Sequence, residues 1–75
     1  MAVEVKCTAK ESLSLSGSYL RDQLASMLAL SKRVPSYYAV RFVMGVWRWF
    51  PVEDGMGTVL RAGEGLSLEQ VEEYK

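Results

Sequence analysis

Cys7 is the single cysteine of this 75-residue chain, which contains no histidine. Histidine is the commonest general acid–base and the usual partner of a nucleophilic hydroxyl or thiol, so most covalent mechanisms lose their proton carrier. A thiol reacts when it is exposed beside a base or a cation. Lys6 adjoins Cys7 in sequence, but strand alternation sends the two side chains to opposite faces. Cys7 is therefore expected to be a buried structural thiol. Glu53 and Asp54 fall in a turn, where aspartate bonds to its own backbone. Glu69, Glu72 and Glu73 read as the solvated face of a terminal helix. Neither set has the dry, pinned setting that shifts a carboxylate pKa.

Phosphate and metal chemistry fare no better. Gly55-Met56-Gly57 and Gly63-Glu64-Gly65 are short GxG fragments without the third glycine of a nucleotide-binding loop, and Glu64 would repel a phosphate. One cysteine and no histidine cannot assemble a zinc site of the usual ligands. The expectation is a protein that is not an enzyme and needs no cofactor.

Residues suited to binding are concentrated in one segment. Tyr37, Arg41, Trp47, Arg48 and Trp49 are of the types enriched in interface centres, and they are the candidate interaction residues. If Tyr37, Arg41, Trp47 and Trp49 share an exposed sheet face, two readings follow. One is a protein–protein contact, with a larger partner or a second copy. The other is stacking of single-stranded nucleic acid on aromatic platforms, with Lys10, Lys32 and Arg33 extending a basic patch. The sequence pI near 6.2 weighs against the second. A small interfacial, phage or mobile-element structural protein is a further alternative. No small-molecule substrate is expected.

The elements that position these residues follow from periodicity. Residues 2–9 alternate, with Val3, Val5, Cys7 and Ala9 on one side and Glu4, Lys6 and Thr8 on the other, which predicts a strand with its apolar side inward. The serine-rich stretch 11–18 reads as a loop ending in an N-cap at Ser16 or Ser18. Leu20, Leu24, Met27 and Leu28 make one helical stripe, and the helix stops before Pro35. Residues 37–50 carry valines and aromatics that favour a strand over a helix, although Arg41, Gly45 and Arg48 would also form a polar helical stripe. Gly45 marks a bulge or a close backbone approach. Glu53–Gly57 predicts a turn that returns Thr58–Arg61 beside the second strand. Ser67-Leu68-Glu69-Gln70 is a capping box opening a last helix that runs to about Tyr74, with Leu66 and Val71 spaced as a hydrophobic staple.

The predicted architecture is thus one α+β domain spanning residues 1–75, in the order β-α-β-β-α. It has a mainly antiparallel sheet and two helices on one face. At this size an unaided core is marginal, which favours self-association or docking. Residues 1–10 lack the apolar run of a signal peptide, and Val34–Phe50 is interrupted by two arginines and short for a membrane span, so a cytoplasmic setting is expected. Net charge is zero, but residues 1–50 carry +4 and residues 51–75 carry −4, a dipolar layout that can orient a partner.

Overall fold

The structure is a computed structural model in which residues 1–73 are described. Its elements are β1 (Ala2–Cys7), β2 (Ser12–Ser14), α1 (Ser18–Ser31), β3 (Ser36–Arg41), β4 (Trp47–Pro51), β5 (Val59–Arg61) and α2 (Leu68–Glu73). The α+β class agrees with the sequence expectation. The end proposed for α2 at Tyr74 lies outside the described residues.

β3 is the centre of the main sheet, whose strand order is β1-β3-β4. It pairs in parallel with β1, α1 forming the crossover, and antiparallel with β4. Ser36 to Val40 are all buried, as expected of the central strand, flanked on both edges by side chains of its neighbours. On one face Tyr38 and Val40 join Phe42, Phe50, Leu15, Met27 and Leu60 in the core. The α1 stripe supplies Met27, with Leu24 and Leu28 packed against the cluster. Burying each large apolar side chain here contributes about 1.5–3 kcal/mol.

Segment 37–50, predicted as one strand, is a hairpin. Phe42 N–H donates to the Val46 carbonyl (2.7 Å) and Gly45 N–H to the Phe42 carbonyl (3.1 Å), closing a short 3₁₀ turn over Val43–Gly45. Met44 (φ 65°) and Gly45 (φ 72°) are both left-handed. Glycine accepts that backbone freely, which is why the chain can reverse at Gly45. The reversal preserves the predicted alternation, since Ala39 pairs with Trp49 and Arg41 with Trp47.

β1 alternates as predicted, but with its faces exchanged. Register places Glu4 beside Tyr38 and Lys6 beside Val40, so the polar residues share the face that α1 covers. Val3, Val5 and Cys7 lie on the opposite face and are exposed. Cys7 is thus an exposed free thiol rather than a buried one. On the covered face Gln23 Nε2 donates to Glu4 Oε1 (3.0 Å), and Lys6 Nζ stands 3.7 Å from the same carboxylate and 5.9 Å from the Tyr19 ring centroid. The aliphatic stem of Lys6 can pack while its ammonium reaches outward.

Three further expectations are corrected. Serine-rich segment 11–18 contains β2, which takes β5 as its antiparallel partner. β5 therefore does not return beside β4, and Glu53–Gly57 is a turn without a hairpin. The α1 N-cap is Gly17, with no side-chain cap; the Ser16 hydroxyl instead bonds that of Ser14 at 2.7 Å. The capping box of α2 forms as read: Ser67 N–H donates to Gln70 Oε1 (2.8 Å) and Gln70 N–H to Ser67 Oγ (3.2 Å).

Tyr38 is fully buried and its hydroxyl has no hydrogen-bond partner among the described residues. Burial, then the nearby Glu4 carboxylate, raises its pKa above the ordinary phenol value. A raised folded-state pKa means the native protein holds this proton more tightly than the unfolded chain does. Stability is then intact below the ordinary tyrosine pKa of about 10 and is lost as pH climbs from there toward the folded value. Tyr38→Phe should remove that alkaline loss and cost under about 1 kcal/mol at neutral pH, because no bond is broken. Urea unfolding of both proteins at neutral and alkaline pH checks this; parallel losses on alkalinisation would contradict it.

Candidate functional site

The sheet face opposite α1 holds the candidate site. Three ladder rows build it: Val3 beside Tyr37 and Pro51, Val5 beside Ala39 and Trp49, and Cys7 beside Arg41 and Trp47. The small Ala39 forms a floor between the larger residues on β1 and β4. The result is an apolar groove of about 520 Å³ lined by Val3, Val5, Ala39, Trp47, Trp49, Ser67 and Leu68. Val5 is 57% exposed and Trp47 46%, so bulky apolar surface meets solvent here.

Four of the five candidate interaction residues belong to this face, in different states. Trp47 is exposed and Trp49 half-buried. Tyr37 is only 4% exposed and meets Trp49 edge-on, with centroids 6.1 Å apart at 74°; it braces the second tryptophan rather than offering a surface. Arg41 is exposed at the Cys7 end of the groove and forms no ion pair with a described residue.

Arg48 is the exception. The pairing with Val40 turns it to the other face, where Nε donates to the Glu64 carbonyl (2.8 Å) and Nη2 to the Gly65 carbonyl (2.7 Å). Two N–H groups of the guanidinium thus bond the chain's own backbone, so Arg48 ties down the 63–66 loop on the side away from the groove. Trp49 and Leu66 add reciprocal backbone bonds, Trp49 N–H to the Leu66 carbonyl at 2.9 Å and Leu66 N–H to the Trp49 carbonyl at 2.7 Å. This loop therefore bridges the middle of the β4 edge and sets Ser67 and Leu68 at the groove wall.

Sequence reasoning missed Val3, Val5 and Leu68 as site residues. Alternation assigned the two valines to the core because it reports two faces without saying which is covered. Leu68 opened a helix whose docking was not legible.

No cluster of three or more His, Cys, Asp or Glu suited to a metal occurs among the described residues. Lys32, proposed for a basic patch, lies 3.9 Å from Asp54. No described helix is long and apolar enough to cross a membrane. The chain matches no protein-family model, no curated protein and no solved structure at a significant level.

The groove wall depends on Gly65, whose φ is +81° and whose added Cβ would stand 2.9 Å from the Trp49 carbonyl and 2.8 Å from the Phe50 ring. Gly65→Ala should therefore cost about 1–3 kcal/mol from backbone strain, with the clash in addition. Gly63→Ala is the control, since its Cβ would meet nothing within 4 Å. Thermal unfolding of the pair should show a large loss for the first and a small one for the second; equal losses would contradict the tight approach.

Proposed function

We propose that this chain is a small non-catalytic protein-interaction module, and that its open sheet face binds an apolar segment of a partner protein carrying a carboxylate. One observation carries the reading: Val3, Val5, Trp47 and Leu68 are exposed on one continuous face around the Ala39 floor. Contiguous apolar surface of this kind in a soluble fold marks an interaction site. Trp47 has the amphipathic bulk typical of interface anchors. Arg41, at the end of the groove and without an ion-pair partner among the described residues, supplies the charge that selects an acidic residue.

Single-stranded nucleic acid receives less support. Its platforms would be Tyr37, Trp47 and Trp49, of which Tyr37 is buried and Trp49 half-buried. A phosphate backbone also calls for a row of cations, and the groove walls contribute none.

Selection of random peptides on the purified chain tests the reading. Enriched sequences should combine apolar residues with Asp or Glu and should bind the parent chain. Trp47→Asp should abolish that binding while leaving the unfolding temperature within a few degrees, because Trp47 is largely outside the core. Arg41→Glu should shift selection away from acidic peptides. No enrichment, or peptides that bind Trp47→Asp equally well, would overturn the reading.

A further inference from the structure

The open edge of β1 is a second surface, independent of what fills the groove. Ala2 N–H donates to the Pro35 carbonyl and Thr8 N–H to the Arg41 carbonyl, both at 2.9 Å. In a strand the backbone groups of successive residues point to alternate edges. Even-numbered residues of β1 therefore face β3, while the N–H and C=O groups of Val3, Val5 and Cys7 point away from it. None of these groups has a backbone partner among the described residues outside the sheet. The opposite edge of the sheet differs, because the 63–66 loop bonds to Trp49 and Arg48 there. Among the described residues, β1 is thus the edge of the three-stranded sheet with no backbone bond to a neighbouring segment.

Native sheets protect such an edge with proline, a bulge or charged side chains, which repel a partner strand when the opposed charges are alike. β1 has neither proline nor bulge, and its two charges, Glu4 and Lys6, have opposite sign. We propose that the chain forms a two-fold dimer by antiparallel pairing of β1 with β1 of a second copy, with Val5 opposite Val5.

The register follows from two constraints. Outward groups must meet outward groups, so odd residues pair with odd ones. Two-fold symmetry then allows three central registers, about residue 4, 5 or 6. Centring on Glu4 sets two carboxylates face to face, and centring on Lys6 sets two ammonium groups face to face. Directly opposed like charges destabilise a sheet pair, whereas opposite charges stabilise it. Centring on Val5 places Glu4 of each copy across from Lys6 of the other. It also engages every outward group of Val3, Val5 and Cys7, through the Val5–Val5 pair and two Val3–Cys7 pairs. The six-stranded sheet that results carries Val3, Val5 and Cys7 of both copies on the groove face and joins the two grooves.

Two measurements test the pairing. Opposed residues of a hydrogen-bonded antiparallel pair have Cα atoms about 5.5 Å apart, within disulfide range. With Cys7→Ser in the background, Val5→Cys should give a covalent dimer on mild oxidation. Val3→Cys in the same background should not, because its two copies would lie about 13 Å apart. By sedimentation equilibrium, Glu4→Lys should raise the dimer dissociation constant by roughly tenfold or more. The charge swap Glu4→Lys with Lys6→Glu should restore dimerisation, an outcome that a general loss of folding would not give. A monomer at millimolar concentration would overturn the proposal. So would cross-linking through position 3 but not 5, or a dimer indifferent to Glu4→Lys.

Discussion

The structure rests on β3 being hydrogen-bonded along both edges and buried on both faces. With α1 as its crossover, β1 must lie parallel to β3, and the tight turn at Met44 and Gly45 forces β4 to lie antiparallel. Once those registers are set, every side chain of the flanking strands is assigned to a face. Tyr38 and Val40 define the face that α1 covers. Tyr37, Ala39 and Arg41 define the other, and with it the company of Val3, Val5, Trp47 and Trp49.

Among the described residues two helices serve the sheets, and they do not enclose both faces of the main one. The core side takes α1 and the largest cluster of apolar residues. The other side has α2 only at its margin, tied down by the 63–66 loop, and leaves Val3, Val5, Trp47 and Leu68 exposed. Exposed apolar surface of this kind is what the proposed partner segment would cover. Docking of the proposed partner would relieve that exposure, whereas the proposed pairing between copies engages the free backbone groups of the β1 edge; the two use different surfaces.

Much of the local structure was legible in the sequence, because it depends on neighbours in the chain. The capping box at Ser67 and Gln70, the α1 stripe and the β1 alternation all have short-range causes. So does the shared face of Arg41, Trp47 and Trp49, which survives the reversal at Gly45 because the hairpin keeps parity. What was not legible depends on distant pairings. Alternation in β1 cannot say which face α1 will cover, and so Val3, Val5 and Cys7 were assigned inward. Nothing near Ser12 announces that it will pair with Arg61. Arg48 looked like its aromatic neighbours until two carbonyls of a later loop claimed its guanidinium. Sequence proximity grouped it with the tryptophans; geometry separated it.

The central claim is that the Val3, Val5 and Leu68 face is wet in the free chain while the Tyr38 face is dry. Methyl NMR with a soluble paramagnetic probe, at a concentration where the chain is monomeric, measures this directly. The methyl signals of Val3, Val5 and Leu68 should broaden strongly, while those of Val40, Leu15, Leu60 and Val71 are spared. Protection of Val3 and Val5 together with broadening of Val40 would mean the covered face has been misassigned, and would contradict the account.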